Sequence, residues 1–175
     1  EKIILFFGQI KKSKGVDVLL EALPYCKSNF KVVIAGKLRG ENWEKYQSII
    51  DSKKLKDKVI PIIRHISDYE RDILFSLAHG IILPYRYIYQ SGVLLMTMSF
   101  PMAVIASNLS PNADIIIDGE NGFLFEAENS KDLATKIDTM LNSENNLDQI
   151  KIRAIADIDA KNSPDVIGMQ YHQLL

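Results

Sequence analysis

The 175-residue chain carries 21 basic and 22 acidic side chains, a formal net charge of −1, and is 47% hydrophobic and 25% charged. That size and composition fit one globular domain with a sizeable core, and the near-zero charge excludes a general nucleic-acid binder, whose phosphate contacts demand a basic excess. The single cysteine, Cys26, excludes a disulfide framework and a Cys-rich metal site and fits a reducing, cytoplasmic compartment.

Residues 2–7 form a near-continuous apolar run, the pattern of a strand covered on both faces of a parallel sheet, and Gly8 ends it. A basic loop follows, Gln9-Ile10-Lys11-Lys12-Ser13-Lys14-Gly15, and then Val16, Leu19, Leu20 and Leu23 recur at helical spacing until Pro24. Cys26 is expected as a small, half-buried residue after that helix. Residues 31–35 (KVVIA) read as a second strand closed by Gly36, and residues 42–54 as an amphipathic helix with Trp43, Tyr46, Ile49 and Ile50 on one face. Its basic end, Lys53, Lys54, Lys56 and Lys58, reads as a solvated face beside a helix C-terminus. A third strand spans 59–63, interrupted by Pro61. Ser67 then caps a helix, with Glu70 completing a capping box ahead of Ile73, Leu74 and Leu77.

The centre of the chain is residues 84–107, PYRYIYQSGVLLMTMSFPMAVIAS. A strand at 81–83 stops at Pro84, a helix opens at Ser91 or Gly92, and Pro101 ends it, which makes 102–106 the next strand. Backbone N–H groups at Ser91 and Gly92, and the positive end of the helix dipole, would point at the carboxyl edge of the sheet, where α/β folds hold anions. Gln90 adds a side-chain donor there. Beyond it come a short apolar segment at 115–117, a glycine turn, a short strand at 123–125, a helix opened by Ser130, another over 143–161, and a last one begun by Ser163-Pro164. No run approaches the ~18 apolar residues of a membrane span. Strands alternating with helices predict an α/β fold: a doubly wound parallel sheet, Rossmann-like, of about six strands with helices on both faces.

Six segments in register, FFGQIKKSKGVDVLLEALP, VIAG, RHISDYE, ILPYR with QSGV, VIAS and DGENGFLF, resemble the C-terminal, donor-binding domain of GT-B glycosyltransferases of family 4 (glycosyl transferases group 1). The ILPYR and QSGV pieces look most like a branch associated with bacterial exopolysaccharide, capsule or lipopolysaccharide synthesis. The resemblance implies that residues 1–175 are a single nucleotide-sugar-binding domain. The start at Glu1, directly before a strand, suggests an excised C-terminal half whose N-terminal acceptor domain is missing. It also implies retaining transfer from a UDP- or GDP-sugar to a glycan or lipid-linked acceptor, with peripheral association at the inner membrane face. The diphosphate would meet Gly8, Lys11, Lys14, Ser91 and Gly92; the base or sugar would meet Arg64, His65, Ile66, Arg86 and Gln90. The commonest pattern of the family has two glutamates where this chain has Ile88 and Met96, and the catalytic residues are not assigned.

No metal or other cofactor is expected, because the loops at 8–15, 85–92 and 107–112 contain no Asp or Glu and phosphate-bound magnesium is usually held by a nearby carboxylate. Asp157-Ile158-Asp159 spells a D-x-D but lies in a helical stretch far from those loops. Two other readings stand beside the transferase: a GT-B-like sugar-nucleotide epimerase using Asp114 and Glu120, and a non-catalytic nucleotide- or partner-binding module.

Overall fold

The computed structural model describes residues 1–88 and 92–162. Six strands, β1 (Lys2–Phe7), β2 (Phe30–Ala35), β3 (Val59–Ile62), β4 (Gly80–Leu83), β5 (Ala103–Ser107) and β6 (Phe123–Phe125), form one parallel sheet in the order β3-β2-β1-β4-β5-β6. Between them run α1 (Val16–Ala22), α2 (Trp43–Ser52), α3 (Asp68–Leu77), α4 (Gly92–Met98) and α5 (Ser110–Ala113); α6 (Ser130–Asn142) and α7 (Glu144–Asn162) follow β6. The predicted doubly wound α/β sheet is what the chain forms.

The pleat explains why β1 and β2 read as unbroken apolar runs. Ile4, Phe6, Val32 and Ile34 point into one core with Leu19 and Leu20 of α1, Ile50 of α2 and Ile137 of α6. The alternate residues Leu5, Val33 and Ala35 point into the other, with Phe75 of α3, Leu94 and Met98 of α4 and Ala154 of α7. A sheet with two buried faces has no polar register to show in its central strands. Pro61 does not break β3, because β3 is an edge strand and an edge leaves one side of the ladder without a partner to serve.

Ser67 and Glu70 make the predicted capping box. Helix α6 begins at Ser130 as expected; its cap is Asn129, which accepts from the N–H groups of Lys131 and Asp132, and Ser130 donates to the carbonyl of Val18. Residues 115–117 belong to no strand, and the four-residue α5 begins on Ser110-Pro111, a pair with no apolar period to reveal it. The helix expected from Ser163 lies outside the described residues.

Sequential strands run outward from β1 in opposite directions, so the sheet order reverses between β1 and β4. There the loops after the two strands diverge and leave a crevice at the carboxyl edge. Two glycines set how tightly its walls meet. Gly15 has φ 64°, and a Cβ on it would lie 1.8 Å from the Pro84 carbonyl oxygen, so only glycine lets the β1 loop close on the end of β4. A Cβ on Gly36 would lie 1.7 Å from the carbonyl oxygen of Gly8, which fixes the β2 end against the β1 end.

Candidate donor-binding cleft

The loop after β1 is laced to its neighbours by backbone bonds. Ile10 donates to the Lys37 carbonyl at 2.9 Å and accepts from the Arg39 N–H at 2.9 Å, a one-residue extension of the β1–β2 pairing. Lys12–Lys14 form a single 3-10 turn closed by the Gly15 N–H on the Lys12 carbonyl. The buried Ser13 accepts from the Arg86 N–H at 2.9 Å, which joins the turn to the chain leaving β4.

This lacing carries Lys14 to the switch point. Its Nζ lies 3.5 Å from the centroid of the Tyr85 ring, a cation–π contact. Burial, and then the charge of Lys11, pull the Lys14 ammonium down to about 8. The folded value is below the unfolded value of 10.5, so between about pH 8 and 10.5 the unfolded chain binds the additional proton. Stability therefore rises with pH across that window, and below it the charged Lys14 opposes folding. Lys14→Met, which keeps the contact with Tyr85 through sulfur, is expected to raise the melting temperature at pH 7, with the gain shrinking toward pH 10. Melting curves at the two pH values check this; an equal or lowered melting temperature at pH 7 would contradict it.

A cleft of about 420 Å³ opens along the carboxyl ends of β1, β2 and β3. Phe7, Gly8 and Gln9 form one side, Gly36, Lys37 and Arg39 the next, and His65 with Ile66 the third. No carboxylate is among the described lining residues. The start of α4 faces the same place: Val93 Cγ2 lies 3.8 Å from where a Gly8 Cβ would be, so the first turn of the helix stands over the β1 end. Val93, next to Gly92, thus stands by Gly8, Lys14 lies on Tyr85 with Lys11 close enough to act on it, and Gly8, His65 and Ile66 line the cleft. Gln90 and Ser91 lie outside the described residues.

Two expected contacts go elsewhere. Arg64 turns from the cleft to Glu70, with N–O distances of 3.0 and 2.6 Å, and to the His65 carbonyl; with the Ser67 bonds, this holds the Glu70 carboxyl at about 2. Arg86 turns to Asp17 and Glu128. In both cases a carboxylate at the right distance captured a guanidinium that the sequence placed only by strand end. Lys37 and Arg39 are the cations that sequence reading missed. Their signal was register: Phe7 pairs with Ala35, so the residues after β2 must rise beside Gly8.

The remaining candidates sit apart. Ile88 and Met96 pack against the second core, so neither position offers an acceptor to a sugar hydroxyl. Glu120 pairs with Arg153 at 2.8 Å, and Asp157 accepts from the Asn121 amide at 2.7 Å. Cys26 is half-buried as expected, and burial pushes its thiol up to about 12. In the basic stretch after α2, Lys53 pairs with Glu21, Lys56 pairs with Asp51 and Lys58 covers Phe30.

A family model described as "Glycosyl transferases group 1" matches residues 1–157. The capsular polysaccharide biosynthesis glycosyltransferase CapM of Staphylococcus aureus is 25% identical over 171 residues, 94% of this chain and 43% of that protein. Among solved structures, Anabaena HepE in complex with UDP-glucose superposes with a TM-score of 0.87 at 19% identity, over 98% of this chain and 48% of that one. The C-terminal domain of the group 1 glycosyl transferase LpcC from Francisella tularensis superposes with a TM-score of 0.81 at 21% identity, over 92% of this chain and 85% of that one. The chain spans about two fifths of the length of the curated relatives it matches, 38% and 43% for two of them.

Proposed function

The chain belongs to the glycosyl transferases group 1 family, and from that premise we propose that it is the donor-binding half of a retaining glycosyltransferase that holds a UDP- or GDP-sugar at the carboxyl edge between β1 and β4. The observation that carries this is the half-buried Lys14 at the switch point of the sheet, at the same carboxyl edge as a cleft whose described lining has cations and no carboxylate. A half-buried cation at the carboxyl edge of a doubly wound sheet supports an anion at that place.

In this reading the diphosphate lies over Gly8 and the first turn of α4, with Lys14 and Lys11 neutralising it. The nucleoside runs along the cleft toward His65 and Ile66, within reach of Lys37 and Arg39. When the sugar leaves, charge grows on the departing phosphate, and fixed donors aimed there contribute about 3–4 kcal/mol each to the transition state. The acceptor hydroxyl, on a glycan or lipid-linked chain, comes from a companion domain across the crevice. The CapM relative supports a place in bacterial surface-polysaccharide synthesis. Positive side chains supply the charge that a metal would otherwise bring, so turnover needs none.

A non-catalytic nucleotide-binding module is the second reading, favoured by apolar Ile88 and Met96 where the common pattern has two glutamates. Both readings require the nucleotide. Titration calorimetry with UDP and GDP is expected to give micromolar to millimolar binding of at least one, about −8 to −4 kcal/mol, unchanged by EDTA. Lys14→Ala should weaken it by ~1.5–3 kcal/mol, the loss of one charge-assisted contact. No binding of either nucleotide would overturn the site, and binding abolished by EDTA would overturn metal independence.

A further inference from the structure

The Arg86 side chain is engaged by three elements at once. Its guanidinium grips Asp17 of α1 with two bonds, Nη1 to Oδ1 at 2.8 Å and Nη2 to Oδ2 at 3.0 Å. Nη1 also donates to the Lys12 carbonyl at 2.9 Å, and Nε to Glu128 Oε1 at 2.5 Å. Its backbone N–H holds Ser13. One residue thus fastens the 3-10 turn that ends in Lys14, the first turn of α1, and the loop between β6 and α6.

The ion pair continues to α2 and the loop before it. Lys45 Nζ lies 3.7 Å from Asp17 Oδ2 and 3.5 Å from Glu41 Oε2, and Glu41 Oε2 lies 3.4 Å from the hydroxyl of the fully buried Tyr46. Glu41 follows directly on Arg39 and Gly40, in the loop that forms the nucleoside side of the cleft. Asp17 therefore stands between the phosphate-side turn and the nucleoside-side loop. Burial pushes its carboxyl up, and the bonds and charge of Arg86 outweigh that and hold it below the usual range.

Stability alone does not account for this arrangement. Arg86 and Asp17 are each only 20% exposed at the side chain, and desolvating two charges offsets most of what their attraction returns, so an apolar pair of the same volume would serve folding as well. What an apolar pair lacks is direction. A planar fork on a carboxylate, with a third bond to a named carbonyl, sets the angle of the turn that carries Lys14.

We infer that Arg86 and Asp17 are positioning residues: through the fork and the Lys12 carbonyl they hold the 3-10 turn so that the Lys14 ammonium stands over Tyr85 at the diphosphate position. The inference rests on the donor-binding reading for its purpose, but not for its geometry. Arg86→Lys keeps the charge and removes the fork, so it tests the geometry alone.

The experiment has two readouts on wild type, Arg86→Lys and Asp17→Asn. The first is the Lys14 pKa followed by NMR of its side chain in the absence of nucleotide. Wild type is expected near the value of about 8, and both variants should move up toward the solvent value as the turn loosens and Lys14 leaves the ring. The second is UDP and GDP affinity, alone and combined with Lys14→Ala. Each clamp variant should weaken binding about tenfold or more, and the loss should be non-additive with Lys14→Ala, because both substitutions remove the same contact. An unmoved Lys14 pKa in variants that melt as folded proteins would overturn the clamp, as would losses that simply add. If wild type binds no nucleotide while the pKa moves as stated, the clamp stands and the donor reading fails. A variant that does not fold leaves the decision to the other two chains, since Asp17→Asn retains the Arg86 contacts to Lys12 and Glu128.

Discussion

Gly36→Ala is expected to remove about 3–5 kcal/mol of stability, a large part of the ~5–15 kcal/mol that holds a domain of this size together. The cause is contact with backbone. The new Cβ would lie 1.7 Å from the Gly8 carbonyl oxygen and 2.8 Å from its carbon, and neither can swing aside without moving the end of β1. The β1 end forms the floor of the cleft, so nucleotide affinity should fall with stability. Gly40→Ala is the internal control. Gly40 has φ 65° but nothing within 4 Å of its would-be Cβ, so it costs only the ~1–2 kcal/mol of a left-handed alanine. Chemical denaturation of the two variants checks the pair. Equal losses would mean that the β1 and β2 ends do not meet as described.

The second large effect concerns activity. The 175-residue chain alone is expected to transfer no sugar, while a protein that joins it to a companion acceptor-binding half transfers. Holding the acceptor hydroxyl against the anomeric carbon is worth ~7–11 kcal/mol of the barrier, and in the proposed reading that positioning comes from the companion half. The chain covers 43% of CapM and 48% of the HepE chain. Radiolabelled donor with the isolated and the joined proteins is the measurement. Transfer by the isolated chain would contradict a site shared by two halves, and binding without transfer by the joined protein would favour the non-catalytic module.

The fold was legible because each element ends on a residue with a physical reason to end it. Gly8, Gly36 and Pro84 close β1, β2 and β4, Ser67 opens α3, and Pro101 sits between α4 and β5. What failed to show was short or aperiodic: α5 has four residues and begins on Ser110-Pro111 with no apolar period. Gly8, Lys11 and Lys14 could be placed in one loop at the carboxyl edge because the end of β1 is unambiguous. For Arg64 and Arg86, sequence proximity to a strand end could not show that Glu70, Asp17 and Glu128 arrive at bonding distance and engage both guanidinium groups. Lys37 and Arg39 stayed hidden for the converse reason. They follow an ordinary strand-ending glycine, and only the pairing of Phe7 with Ala35 shows that this loop rises beside Gly8.

Amide chemical-shift mapping with UDP and GDP tests most directly the claim that the switch point is the donor site. The largest shifts are expected in residues 8–15, in 36–39, at His65 and Ile66, and in the first turn of α4, with Lys14→Ala suppressing those of the phosphate loop more than those of the nucleoside cleft. Shifts centred instead on the groove of Tyr25, Lys131 and Asp138 along α6, or none at millimolar nucleotide, would contradict the assignment.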